Sequence, residues 1–368
     1  MKKSGAGAPE GECEMSEVFV YSRGDLARLG ARLRAAAGGK KTKIAFLGDS
    51  ITAGSCAYEP ENRYTACIER WWAERFGEGS AEFKNAGIGA TDSYLAVHRV
   101  SEDVFGFEPD VIFIEFINDA DSDFYMTSMD SLLRRCLSQA NCPAVVMIEM
   151  TQEDGTCPQR VHSVPGKLYG VPMLSYHDYI LPEIAAGRAV WQDISPDNIH
   201  PNDKGHRLLG GLITGFLDSV ADSAEDFGEV KPFDASVKSP GGFKYAEAVL
   251  AGKDSSRIKV LAAEGFSGDT SLSGFTGGWR AENGGRLVIE AEFKNLGVLY
   301  GMMTAGGSTA QVTVDGKPAG TVNADFPGGW GDYGKNEELV SFAEKAPHTV
   351  EITISAGNPF EVLRLMLS

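Results

Sequence analysis

Lys43-Ile-Ala-Phe-Leu-Gly-Asp-Ser50-Ile-Thr-Ala-Gly54 decides the reading of this chain. An apolar run breaks off at Gly48-Asp49, and a hydroxyl follows at once. A buried strand that ends in this way delivers a serine to the rim of a sheet. Two distant segments supply what such a serine needs, Phe116-Ile-Asn118-Asp119 and Asp197-Asn-Ile-His200-Pro-Asn-Asp-Lys-Gly-His206.

Around this stretch, strands and helices alternate. Lys43–Leu47, Glu82–Ala86, Asp110–Ile117, Pro143–Met150 and Val171–Ser175 read as strands. The segments 23–37, 63–76, 92–105, 128–140 and 203–220 read as helices, the last with Asn202 as N-cap. Near-continuous apolar strands between helices predict a parallel sheet covered on both faces. Ligands of such sheets bind at the carboxyl ends of the strands. Ser50, the loop Gly87–Ala90 and Asn118 each follow a predicted strand, so they are expected at one edge.

The pattern changes near residue 222. An acidic, then Pro- and Gly-punctuated linker over 223–242 precedes runs that alternate apolar and polar residues, such as Leu287–Phe293, Ala310–Val314 and His348–Ile354. Turn signals at Asn283-Gly-Gly, Asp315-Gly and Ala356-Gly-Asn-Pro359 separate them, which predicts an antiparallel sandwich over 243–368. Residues 1–17 read as an arm or capping segment, without the apolar core of a secretory signal.

Composition narrows the function. Charged residues make up 23% and the net charge is -17, so phosphates are repelled and neither nucleic acid nor an anionic membrane is an expected partner. No stretch approaches the ~20 apolar residues of a membrane span. The six cysteines, Cys13, Cys56, Cys67, Cys136, Cys142 and Cys157, show no metal-like spacing and read as reduced thiols of a cytoplasmic protein. Asp119, Asp121 and Asp123 lack the glycine and later glutamate of a calcium loop. No metal or organic cofactor is therefore expected. Trp71 and Trp72 read as helix packing.

An ester hydrolase needs a nucleophile, a base, a group that orients the base, and donors for the oxyanion. Ser50 is the nucleophile. His200, three residues after Asp197 in a loop stiffened by Pro196 and Pro201, is the base, with Asp197 holding its tautomer. His206 is the competing base, although its place in the closing helix favours packing. The Ser50 N–H, the Asn118 amide and a donor from Asn85-Ala-Gly87-Ile-Gly89-Ala90 can hold the oxyanion.

Gly48-Asp49-Ser50, Asn85-Ala-Gly-Ile-Gly89, Asn118-Asp119 and Asp197-Asn-Ile-His200-Pro together resemble the four blocks of the SGNH (GDSL-type) hydrolases, in order, over roughly residues 19–220. The resemblance implies Ser50, His200 and Asp197 as the catalytic triad, and an oxyanion hole of Ser50, Asn118 and either Gly89 or Ala90. It departs at Phe116-Ile117, where the family usually carries a glycine, and alanine at 90 suits a donor only with negative φ. The implied fold is a three-layer α/β, flavodoxin-like domain over 19–222 followed by an all-β, jelly-roll-like sandwich. That order is similar to the two-domain mannan acetylesterases of carbohydrate esterase family 17, whose second domain is a carbohydrate-binding module.

The resemblance implies an O-acetylated plant oligosaccharide, of mannan or xylan type, as substrate. Asp49 beside the nucleophile and the aromatic loops Gly274–Trp279 and Phe326–Tyr333 are the candidate substrate contacts, with Trp330 and Trp279 as stacking platforms. A lipase or thioesterase, or a carbohydrate-binding protein with a vestigial hydrolase half, are the alternative readings.

Overall fold

The computed structural model describes residues 19–368 except 273, so the expected arm over 1–17 and Cys13 lie outside the described residues. The chain divides into two compact units, with the division in the main chain between Lys244 and Tyr245.

The first unit is built on β1 (Val20–Ser22), β2 (Thr42–Gly48), β3 (Ala81–Gly87), β4 (Val111–Glu115), β5 (Ala144–Glu149) and β6 (Met173–Ser175). Their order across the sheet is β1-β6-β5-β4-β2-β3. Every pairing from β3 to β6 is parallel, and β1 closes the edge antiparallel. Ile44, Phe46, Phe113 and Val146 fill a core against the flanking helices, and Phe46 stacks on Phe113 at 5.5 Å. The two-sided burial explains why these strands read as apolar runs rather than alternations.

Topology places the site. β2 pairs with β3 on one side and β4 on the other, with Gly48 opposite both Gly87 and Glu115. The chain reverses its direction of sheet growth here, and such a switch point opens a crevice at the strand ends. Gly48 is required: a Cβ there would stand 2.0 Å from Thr52 Oγ1 and 2.7 Å from Glu115 O.

Around the sheet run α1 (Ala27–Ala37), α2 (Ser50–Ala53), α3 (Tyr64–Phe76), α4 (Ser93–Asp103), α5 (Asp123–Leu137), α6 (Gln159–Leu168), α7 (Tyr176–Ala185), α8 (Trp191–Ile194) and α9 (Asp203–Ala221). Asn202 caps α9, its side chain accepting from Lys204 N and Gly205 N. Trp72 of α3 is fully buried and Trp71 donates to Asp218 of α9, so the pair packs as expected. The residues of the expected linker lie against the first unit. Arg134 donates to Ala235 O and Val237 O, Arg28 donates to Lys231 O, and Ser239 donates to Asp130.

The second unit comprises β7 (Val249–Ala251), β8 (Ile258–Phe266), β9 (Trp279–Met302), β10 (Thr309–Val314), β11 (Lys317–Asn323), β12 (Tyr333–Ile354) and β13 (Phe360–Leu367). β9 and β12 pair antiparallel along most of their length, with register shifts near Glu338 and Ser341 where the ladder bends. Val362 of β13 pairs with both Trp279 and Tyr300, so the two ends of β9 flank one short strand. Leu287, Ile289, Val298 and Tyr300 thereby share one core with Val350, Ile352 and Phe360. Asp315-Gly316 makes the expected hairpin turn, both residues at positive φ, with Val314 opposite Lys317. Asn283-Gly-Gly does not turn the chain. It lies inside β9, where Gly284 has φ of 74° and Gly285 pairs with Ile354.

Candidate active site

Ser50 opens α2, the short helix that follows β2. Asp49 is its N-cap and accepts from Ile51 N at 3.1 Å. As the first amide of a helix, the Ser50 N–H has no intrahelical acceptor. The turn beyond is fixed by Gly54 at φ of 91°, whose N–H donates back to Ser50 O. A strand, a tight turn and a one-turn helix thus hold the hydroxyl with little freedom.

His200 arrives from the other end of the unit. Its loop is knotted by Asp197, whose Oδ1 accepts from Ile199 N at 2.8 Å and His200 N at 2.7 Å. Ser195 Oγ donates to Asp197 O and to His200 O. Oδ2 of Asp197 remains for the imidazole, 2.8 Å from His200 Nδ1. With the ring proton on Nδ1, Nε2 presents a lone pair, and Ser50 Oγ lies 2.9 Å from it. Burial works against the Asp197 charge, but the hydrogen bonds from His200 and Ile199 hold the carboxyl below its usual value. The three residues named from the sequence are therefore joined in one hydrogen-bonded chain, Asp197 to His200 to Ser50, in an arrangement able to deprotonate a serine.

His206 is not in that chain. It is fully buried, with Tyr64 N donating to Nδ1 at 3.4 Å and Nε2 3.2 Å from Ser55 O. It stacks on Tyr64 with 6.2 Å between ring centres. Burial pushes its pKa down to about 4, so it stays neutral and structural.

Gly89 of the loop lies beside the nucleophile: a Cβ built on it would stand 3.8 Å from Ser50 Cβ. Ala90 has φ of 57°, not the negative value its role as donor required. A left-handed residue turns its N–H and C=O away from the path a β or α residue would give them. Asn118 sits at the rim, but its Nδ2 donates to Asp49 Oδ2 at 2.9 Å and to Thr91 O at 3.1 Å. Both amide hydrogens are engaged.

Two expected substrate contacts are corrected. Asp49 has no exposed surface; it faces inward, where its Oδ2 also accepts from Asn118 N and its carboxyl hydrogen-bonds to Glu115. Burial pushes both carboxyls up, Glu115 well up, so the pair retains a proton. Thr52 donates to Glu115 Oε2 and lies 2.9 Å from Tyr64 OH. Trp279 is 2% exposed and belongs to the core of the second unit. Trp330, by contrast, is 72% exposed and stacks on Tyr333 at 4.8 Å with 23° between the rings.

One cluster escaped the sequence reading. His162 of α6 is buried between two carboxylates, Nε2 2.9 Å from Asp119 Oδ2 and Nδ1 3.1 Å from Glu149 Oε2. Burial opposes its charge, yet Glu149 and Asp119 outweigh it and the pKa is pushed up to about 10. Asp119 also accepts from Ser93 N at the start of α4. The tempting calcium triplet is thus split: Asp119 holds His162, and Asp121 pairs with Arg160 on the surface. A carboxylate closing an apolar strand, as in Met147-Ile-Glu149, was the available signal.

No curated protein sequence is matched by the chain. A family model described as the GDSL-like lipase/acylhydrolase family matches residues 46–208. The whole chain is similar to the crystal structure of a two-domain esterase (CEX) active on acetylated mannans, 30% identical, over 96% of this chain and 98% of that one, with a TM-score of 0.87. The structure of such an esterase co-crystallised with mannopentaose is likewise 30% identical over 96% and 97% of the two chains, with a TM-score of 0.85. With the site geometry in place, the chain belongs to the GDSL-like lipase/acylhydrolase family and is a carboxylic ester hydrolase carrying a C-terminal β-sandwich domain.

Proposed function

We propose that the protein removes acetyl groups from O-acetylated mannan-type oligosaccharides through a serine acyl-enzyme. The observation that carries this reading is the relay from Asp197 to His200 to Ser50, at 2.8 and 2.9 Å, in a chain similar over its whole length to an esterase active on acetylated mannans.

Ser50 Oγ attacks the acetyl carbonyl carbon while its proton passes to His200 Nε2. The carbonyl oxygen becomes an oxyanion, held by the N–H groups of Ser50 and Gly89 and by Asn118 Nδ2. Collapse breaks the bond to the sugar oxygen, which leaves with the proton from Nε2. A water then loses a proton to Nε2 and attacks the acetyl-serine; collapse breaks the bond to Ser50 Oγ, which takes the proton back from Nε2, and releases acetate. Asp197 orients the imidazole and stabilises its charged form throughout. The exposed Trp330–Tyr333 stack offers an apolar face for the C–H face of a sugar ring.

The test is a substrate panel on the intact protein. Acetate release should favour acetylated manno-oligosaccharides over acetylated xylo-oligosaccharides, and nitrophenyl acetate should be cut far faster than nitrophenyl octanoate. Preference for octanoate would replace this reading by a lipase or thioesterase. Binding of manno-oligosaccharides with no acetate release would make the hydrolase half vestigial.

A further inference from the structure

The turn after α2 brings a thiol beside Asp197 and His200. Cys56, Asp197 and His200 each offer one ligand atom, and these atoms all lie within 4.8 Å of one another. Cys56 is partly exposed and its thiol has no hydrogen-bond partner among the described residues. Its backbone is held at φ of 62°, a conformation in which side chains other than those of Asn, Asp and His are uncommon. The turn is anchored, since Ser55 N donates to Ser50 O and Ser55 O faces His206 Nε2. The thiol is therefore presented to the imidazole by a stiff loop.

We propose that Cys56, Asp197 and His200 form an inhibitory site for a thiophilic divalent cation of the Zn²⁺ type. The proposal rests on His200 being the catalytic base. Thiolate, imidazole and carboxylate are the donor types such ions take, usually four-coordinate. Bonds of that kind place ligand atoms about 3.3–3.8 Å apart, so the thiol must draw in while Asp197 Oδ2, 2.8 Å from Nδ1, gives up its hydrogen bond and moves outward. Asp197 can do so because its Oδ1 carries the loop amides and Oδ2 is committed only to Nδ1. The fourth position stays open to water.

The proton inventory explains the inhibition. Without a cation the thiol carries its proton, as cysteine ordinarily does at neutral pH. Cation binding displaces that proton to solvent and forms the metal–sulfur bond, with no change of oxidation state. The cation also takes the Nδ1 lone pair, and the single imidazole proton moves from Nδ1 to Nε2. Nε2 then carries hydrogen toward Ser50 Oγ and cannot accept its proton. The same atoms that make the relay work are turned against it.

The experiment uses full-length protein freed of metal with EDTA. Co²⁺ is added first as a spectroscopic probe, then Zn²⁺ and Mg²⁺ are tested against hydrolysis of nitrophenyl acetate. Co²⁺ should give a thiolate-to-metal charge-transfer absorption that Cys56→Ser and Cys56→Ala lack. Zn²⁺ should inhibit the parent reversibly, and each Cys56 variant, compared with itself without metal, should need roughly ten-fold more Zn²⁺ or greater. Mg²⁺ should do nothing. No charge-transfer band in the parent, or equal Zn²⁺ inhibition in the variants, overturns the site. A band in the parent with full activity overturns the inhibition and with it the role of His200 as base, while leaving a bound cation.

Discussion

Asn118 Nδ2 donates to Asp49 Oδ2 at 2.9 Å, and Asn118 N donates to the same oxygen at 3.2 Å. The acidic residue of Gly-Asp-Ser thus holds Asn118 in place, and under the proposed mechanism it acts on the oxyanion side of the site. Asp49 aims Asn118, and Glu115 holds Asp49. Asn118→Ala should lower kcat roughly a hundred-fold or more, the typical loss of one oxyanion donor. Asp49→Ala should approach that loss, and the double variant should fall no further than Asn118→Ala alone. Fully additive losses in kcat, measured on folded protein, would separate the two residues.

His162 ties Asp119 and Glu149, at 2.9 and 3.1 Å, behind the same loop. His162→Gln leaves two buried carboxylates without their cation and should destabilise the first unit by about 3–5 kcal/mol. The pH dependence has a definite sign. The folded pKa, about 10, lies above the ordinary value of 6.5, so the native state holds the extra proton. Its stabilisation is complete below 6.5 and is lost as pH rises toward 10. The gap in unfolding temperature between parent and His162→Gln should therefore shrink across that window; a constant gap would contradict the ion-pair account.

His206 runs the other way. Its folded pKa of about 4 lies below 6.5, so the unfolded state takes up a proton that the native state refuses. Stability should fall as pH drops from 6.5 to 4. His206→Gln should remove part of that acid sensitivity, so thermal unfolding at pH 7 and pH 5 should differ less in the variant than in the parent. Equal sensitivity would mean that His206 is charged in the fold.

Trp330 should matter only for large substrates. Trp330→Ala should raise KM for acetylated manno-oligosaccharides several-fold, as expected for loss of one aromatic platform worth about 1 kcal/mol. Its kinetics on nitrophenyl acetate should not change. An effect on the small ester would point to a structural role instead.

The site was legible in the sequence where backbone and chemistry coincide. Ile44–Leu47 ends in Gly48 because no Cβ fits there, and the serine after it must emerge at the sheet edge. Asp197 and His200 are three apart, so one loop turn brings them together. Other features depended on geometry that no local pattern encodes. Ala90 takes a left-handed φ although alanine does not favour it. Trp279 shares aromatic and glycine-rich surroundings with Trp330, yet β9 carries it into the core while Trp330 stays outside. Asn283-Gly-Gly has turn chemistry but sits where β9 meets Ile354. Helix α6 was hidden by Pro165 within it, a residue that removes an amide donor. His162 went unseen with it, because its partners stand on a separate strand and loop.

The central claim is that Ser50 forms an acyl-enzyme with His200 as its base. The most direct measurement is acetate release by Ser50→Ala from an acetylated manno-oligosaccharide, beside intact-protein mass spectrometry of the parent quenched during turnover. kcat should fall roughly 10⁴-fold or more in the variant, and the parent should gain one acetyl group that maps to Ser50. Full activity in Ser50→Ala, or an acetyl group on any other residue, would contradict it.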